Sequence, residues 1–373
     1  MYNEGKRFYG IDENNRDCPT VSAEEHFERS TQTNTGKEDE SNKSESLYRM
    51  DVVAVTGSSG LVGRYVVERL IKCGRYKEIR LIDRIQRSCS GSDNVTLRHF
   101  CIDINDEGAL EQALHGCHAV VHCSHAPLPW TYSDKEASKA IWKDNLSATE
   151  MLVDKMVQMG VKSLVHVGDA YSALPIEDNY GLGEMVFNTY PADYILGEYG
   201  ESRTRGEMYA RKATANGSSL KGVFLRPVHV HAEEASSSWR SLMKMAENGS
   251  LPYIDGERRG MHQFIYAGNL AAIVDRCLGF LATNPDRVNT EIIYCLDDTY
   301  AIPIRQVSEG TLSYPMFRFL FAKTIGFSDR KQRLLLDYIP EGTEKKNGAC
   351  MLLHIGIWSD ASRVFHAVID EER

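Results

Sequence analysis

No stretch of this chain approaches the ~18 consecutive apolar residues that span a bilayer. The most apolar late runs, Phe319–Ala322 and Met351–Trp358, are far shorter. The first residues are polar, so no signal-peptide core is expected. No basic cluster offsets the formal net charge of −9. That balance excludes a nucleic-acid binder, which needs a basic face to displace counterions. Nine cysteines are scattered without a Cys-x-x-Cys pair. Neither metal-ligand spacing nor a disulfide framework is present, and the thiols read as reduced, in a cytoplasmic protein. What is there is the composition of a globular chain, 42% hydrophobic and 25% charged, long enough for one large α/β domain and an appended lobe.

Residues 1–49 read as a disordered acidic tail. They hold seven basic and eleven acidic residues and too little apolar surface to offset ordering entropy. Order is expected from Met50. Apolar runs at 51–56, 79–83, 97–102, 119–123, 163–167 and 222–226 read as strands. Helical spacing falls between them at 61–73, 106–114, 137–159 and 202–216. This alternation predicts an α/β fold with a doubly wound parallel sheet. The expected division is a dinucleotide-binding domain over 50–230, then a smaller mixed substrate lobe and divergent C-terminal region over 231–373.

The run Thr56-Gly57-Ser58-Ser59-Gly60-Leu61-Val62-Gly63 sits between the first strand and the first helix. The first glycine allows the tight turn, the second admits a pyrophosphate, and the third lets helix pack on strand. Free N–H groups at the helix start favour the anion, so Gly57, Ser59, Gly60, Leu61 and Gly63 are expected to bind the cofactor. Asp83 ends the second strand 20 residues beyond Gly63. A carboxylate there accepts ribose hydroxyls and repels a 2′-phosphate, which favours NAD over NADP. Arg84 follows it and softens that preference.

Further runs carry a resemblance. They are Ile102-Asp103-Ile104-Asn105-Asp106, Val120-Val121-His122-Cys123-Ser124 and Asp144-Asn145-Leu146-Ser147-Ala148-Thr149. Leu225-Arg226-Pro227 with Val228-His229-Val230-His231, and the segment from Gly256 to Ala271, complete the set. With the glycine spacing, they resemble the 3β-hydroxysteroid dehydrogenase/isomerase family of extended short-chain dehydrogenase/reductases over about Val52 to Asp298. The resemblance implies that Asp103, Ile104, Ser124, Arg226 and Pro227 join the cofactor site and that Asn145 supports the active site. It also implies an apolar, sterol-like substrate and is compatible with a homodimer.

The family uses Tyr-x-x-x-Lys one helical turn apart, with a Ser about 30 residues earlier. Tyr handles the proton, Lys lowers its pKa, and Ser donates a hydrogen bond to the substrate oxygen. Here Tyr199 is followed at the Lys position by Arg203, and Asp169 stands where the hydroxyl is expected, 30 residues before Tyr199. No intact Tyr-x-x-x-Lys exists nearby. Arg keeps the charge with a broader head, whereas an ionised Asp has no proton to give. An Asp169–Arg203 pair is one expectation, and Ser172 could serve only in a different loop register. His122, His125, His229 and His231 fall at strand ends without metal spacing and read as ordinary hydrogen-bonded residues.

Three functions follow. The first is an NAD-dependent dehydrogenase of 3β-hydroxysteroids or similar secondary alcohols. The second is a catalytically impaired cofactor-binding protein with a regulatory or interaction role. The third is a related reductase of another carbonyl compound, or a sterol-4-carboxylate 3-dehydrogenase. Asp83→Ala is expected to weaken NAD binding while sparing NADP; titrations showing equal loss for both would refute the role of Asp83.

Overall fold

The computed structural model describes residues 52–130, 134–183, 191–233, 260–297, 302–304 and 325–338, except 88, 90–93, 216, 234–239 and short gaps, with a few isolated positions besides. The acidic tail expected over 1–49 and the run at Met351–Trp358 lie outside the described residues.

Seven strands carry the core: β1 (Val52–Thr56), β2 (Glu78–Asp83), β3 (Thr96–Cys101), β4 (Ala119–His122), β5 (Ser163–Val167), β6 (Lys221–Pro227) and β7 (Ile292–Cys295). All pair in parallel, in the order β7-β6-β5-β4-β1-β2-β3. The chain reverses its strand order between β1 and β4, and such a switch point opens a crevice at the carboxyl ends of the strands. Successive side chains on each strand point to opposite faces. Val53, Val55, Val121, Val165 and Val223 therefore enter one core, and Ala54, Val120, Leu164 and Phe224 the other.

Helices α1 (Leu61–Cys73) and α6 (Ala267–Thr283) cover the first face, with Val66, Leu70, Ile273, Val274 and Cys277 buried. Helices α2 (Glu107–Leu114), α4 (Ala148–Gln158) and α5 (Gly197–Ala213) cover the second through Leu110, Leu152, Met156 and Ala210. Residues after 230, expected to form only the lobe, thus also supply α6 and β7. Their apolar spacing completes both faces of the main sheet. The lobe itself contributes short strand pairs, His229–His231 with Phe264–Tyr266 and Gly260–His262 with Ile302–Ile304. Among the described residues no helix is long and apolar enough to cross a membrane.

Two helices differ from expectation. The helix expected over 137–159 runs unbroken from 135 to 158 but passes from α to π and back to α. Asp134 caps α3 (Lys135–Trp142) by accepting the Glu136 and Ala137 amides, and a π turn over Lys143–Ser147 precedes α4. Wide turns of this kind recur at functional sites, and Asn145 sits inside this one. Helix α5 begins five residues before the expected start at Ser202, which puts Tyr199 in its first turn. Gly200 and Gly206 look like helix breakers in sequence. Here they let α5 approach backbone, for a Cβ on either would stand 2.7 Å from the carbonyl oxygen of Ser172 or Asn145.

A buried ion pair locks α5 onto β6. Arg226 Nε and Nη2 donate to Glu207 at 2.9 and 2.7 Å, with both side chains at most 5% exposed. Removing one partner strands the other charge in the interior. Glu207→Ala is expected to cost about 3–5 kcal/mol, read as a lower midpoint in urea unfolding; an unchanged midpoint would rule out a structural role for the pair.

Candidate active site

The crevice at the switch point is a continuous cleft of about 410 Å3. Its floor is the glycine loop. Gly57 adopts φ +66°, and a Cβ there would stand 2.8 Å from the Ser124 backbone. Only glycine fits both the left-handed backbone and the close approach. Gly60 is the N-cap of α1, with no side-chain cap and no acidic residue in the first turn. The helix therefore presents unblocked N–H groups and a positive dipole end to the cleft, the surroundings a diphosphate needs. Gly57, Gly60, Leu61 and Gly63 all line it.

At the far end of β2, Asp83 lines the same cleft. Its carboxylate accepts the Ser59 amide at 3.0 Å and the Ile85 amide at 3.2 Å. Ser59 thus braces Asp83 and gives its own hydroxyl to the Ile85 carbonyl; it is not among the residues that line the cleft. Arg84 is tied to Asp144 and Asp103, which compensates its charge. Asp103 is drawn into the same charge network. Its carboxylate also accepts the Asn105 amide and Lys143 Nζ, each at 3.0 Å. Burial opposes its ionisation, but the Asn105, Lys143 and Arg84 donors win and hold it well below the usual carboxylate range. Asp103 organises charge beside the cleft, while its neighbour Ile104 lines it.

Ser124 and Pro227, at the ends of β4 and β6, line the cleft. Arg226 does not. Strand alternation turns it inward to Glu207, so its side chain fastens the fold beneath the site. Asn145 is also below the surface: Nδ2 donates to Ser202 Oγ at 3.0 Å and Oδ1 accepts the Ala126 amide at 2.9 Å. It bridges α5 and the segment after β4.

Tyr199, Arg203 and Asp169 meet in this cleft. Tyr199 is 3% exposed. Burial pushes its phenol up to about 12, with Arg203 opposing the rise and Asp169 adding to it. Arg203 lies 5.7 Å from the centre of the Tyr199 ring and donates Nη2 to the Val167 carbonyl at 3.2 Å. The expected Asp169–Arg203 ion pair does not form. Asp169 Oδ1 instead accepts the amides of Tyr171 and Ser172 at 2.8 and 2.9 Å, a local turn that its own backbone supplies. Burial raises the Asp169 carboxyl, against Arg203 and those two amides. Ser172 faces a small void behind the cleft, with Glu207 and Arg226.

The histidines divide. His122 is buried between Thr56 Oγ1 at 2.7 Å and Thr149 Oγ1 at 3.0 Å, and it ties β1 to α4. His229 pairs with His262 at 3.2 Å and stacks on Tyr171, so it belongs to an aromatic cluster at the lobe end of the cleft. His231 packs on Tyr266. His125 is different. It is exposed on the cleft wall, a position its sequence neighbours gave no reason to prefer.

A parallel sheet whose switch point holds a glycine-cradled helix start, an acidic β2 end and a helix-borne tyrosine is that of an extended short-chain dehydrogenase/reductase. The chain belongs to the 3-beta hydroxysteroid dehydrogenase/isomerase family, whose profile matches residues 54–335. It is similar to the 3 beta-hydroxysteroid dehydrogenase/Delta 5→4-isomerase of Vaccinia virus (strain Copenhagen), 24% identical over 286 residues, which cover 74% of this chain and 78% of the viral one. It is also similar to the decarboxylating sterol-4-alpha-carboxylate 3-dehydrogenase of Dictyostelium discoideum, 29% identical over 182 residues, 48% of this chain and 52% of that protein. Among solved structures, MoeE5 in complex with UDP-glucose and NAD shares the fold with a TM-score of 0.62 at 18% identity, covering 82% of this chain and 99% of that one.

Gly57→Ala forces a side chain into the left-handed region and against Ser124. The expected result is at least a tenfold loss, about 1.4 kcal/mol, in NADH affinity by fluorescence titration; unchanged affinity would show that the loop does not hold the dinucleotide.

Proposed function

We propose that this protein is an NAD-dependent oxidoreductase acting on the CH–OH group of a 3β-hydroxysteroid or a similar apolar secondary alcohol. The observation that carries the reading is the meeting of Tyr199, Arg203 and Asp169 in the cleft that also holds the glycine loop and Asp83. Gly57, Gly60, Leu61 and Gly63 would hold the diphosphate, and Asp83 the adenosine ribose. Arg84 is paired to Asp103 and Asp144, which holds its guanidinium away from a 2′-phosphate beside Asp83 and supports NAD over NADP. The bound nicotinamide supplies hydride transfer.

The chain's own residues handle the oxygen. Tyr199 is the acid/base group, and Arg203, fixed on the Val167 carbonyl, is its electrostatic partner. Leu128, Trp130, Tyr171 and Val230 line the cleft and give it an apolar wall suited to a fused-ring substrate. The steroid class rests on the family relationship together with that wall.

A second reading is a cofactor-binding member with little turnover. It is favoured by the upward shift of Tyr199 to about 12, because a phenol that keeps its proton donates to a carbonyl but does not by itself accept a proton from an alcohol. NADH formation from NAD and a panel of 3β-hydroxysteroids decides between the two. Turnover that Tyr199→Phe abolishes establishes the dehydrogenase. A silent native protein beside an active Asp169→Ser, Arg203→Lys double variant establishes the impaired member. Silence in both overturns the steroid assignment.

A further inference from the structure

The backbone that follows β2 is pinned by three hydrogen bonds. The Ile102 amide donates to the Asp83 carbonyl at 3.0 Å, the Cys101 thiol reaches the Arg84 carbonyl at 3.1 Å, and the Ile85 amide donates to the Asp83 side chain at 3.2 Å. Arg84 therefore has a fixed root beside Asp83. Its side chain is long and 49% exposed, so its direction is set by the charges it meets.

Asp144 sets that direction. Arg84 Nη1 donates to Asp144 Oδ2 at 2.9 Å, and Nη2 donates to Asp144 Oδ1, a bidentate fork between residues 60 apart in the chain. Bidentate guanidinium–carboxylate pairs are the stronger and more directional kind. Asp103 adds one contact at 3.3 Å, while its oxygens are also engaged by the Asn105 amide and by Lys143 Nζ, each at 3.0 Å. Asp144 is held in turn by its place in the π turn, because the next residue, Asn145, is fastened to Ala126 and Ser202. A carboxylate on so rigid an element is a fixed counter-charge.

There is room for a larger ribose than that of NAD. Asp83 and Ile85 border the dinucleotide cleft and also a second hollow of about 350 Å3, lined by α1, β2 and β3. A phosphate on a ribose seated at Asp83 has space there. Arg64, Lys72 and Arg87 border this hollow together with Glu68, but Arg84 is the guanidinium that adjoins Asp83 in the chain.

We propose that Asp144 is a cofactor-specificity residue of this site: it stows Arg84 and so keeps the guanidinium from serving a 2′-phosphate. The inference rests on the oxidoreductase reading and deepens its preference for NAD. A phosphate monoester carries about −1.5 to −2 charge at neutral pH and matches the guanidinium fork. With Asp144 ionised, that phosphate must displace a carboxylate already bound through two hydrogen bonds, and must do so beside Asp83. With Asp144 neutral, Arg84 keeps only its 3.3 Å contact to Asp103 and turns to the phosphate. Asp144 is thus a positioning residue that acts through Arg84.

Fluorescence titrations of the full chain with NADH and with NADPH test this. The readout is the ratio of the two dissociation constants, which cancels general damage to the site. The native ratio is expected to favour NADH; a native preference for NADPH overturns the inference. Asp144→Asn keeps the shape and removes the charge, and is expected to shift the ratio about tenfold toward NADPH. Adding Arg84→Gln to that variant is expected to abolish the shift. Arg84→Gln alone is expected to leave the native ratio unchanged, because the stowed guanidinium serves neither cofactor. An unchanged ratio in an Asp144→Asn protein that binds NADH overturns the inference and leaves the oxidoreductase reading standing. A shift that survives the loss of Arg84 also overturns it and transfers the role to Arg64 or Arg87. A selective loss of NADPH in Arg84→Gln alone overturns it as well, and that measurement needs no change at Asp144. Native protein that binds neither dinucleotide overturns both readings.

Discussion

The side-chain amide of Asn145 joins the two walls of the cleft. Its carbonyl oxygen takes the Ala126 amide after β4, and its NH2 group reaches Ser202 on α5. The π turn over Lys143–Ser147 swells the helix where Asn145 must point inward, and Thr149 Oγ1 occupies the Asn145 main-chain carbonyl at 2.7 Å. Because Gly206 carries no side chain, α5 lies close against that carbonyl. Tyr199 and His125, on opposite sides of this bridge, are therefore positioned by one buried amide. Loss of that amide would leave polar groups unpaired on both walls.

Charge is managed in layers around the site. Beneath it, Arg226 and Glu207 neutralise each other in the interior. Beside the Asp83 end of the cleft, Arg84 and Lys143 satisfy Asp103, and Arg84 also satisfies Asp144. Within the cleft Arg203 and Asp169 face the same space without pairing, each held by backbone instead. The guanidinium lowers the Tyr199 phenol while the carboxyl raises it, and burial decides the outcome. The local field therefore differs from one built of lysine and serine, although the tyrosine stands on the same helix.

Much of the fold was legible. Helix α1 has the bounds its apolar stripe predicts, and six strands fall within a residue or two of the expected runs. Helix α6 and strand β7 were not assigned, though α6 carries a plain helical stripe at Leu270, Ile273, Val274, Cys277 and Leu278. That spacing was a usable signal. The early start of α5 had none, because glycines at 197, 200 and 206 argue against a helix until its neighbours are known. Helix propensity is a local quantity, and here close packing overrides it.

The sequence by itself determined the parallel sheet, the glycine cradle, the acidic end of β2 and the altered pair Arg203 and Asp169. These are features of periodicity and spacing, which each segment carries alone. Only the tertiary structure decided which side chains reach the cleft. Arg226, Asp103, Ser59 and Asn145 stand at site-like positions yet turn to bracing partners, and His125, read from sequence as an ordinary hydrogen-bonded residue, faces the open space. The physical reason is that orientation depends on partners distant in the chain: Glu207 is 19 residues from Arg226, and Ser202 is 57 from Asn145. A buried polar group goes where its hydrogen bonds can be met, and only the folded chain shows where that is.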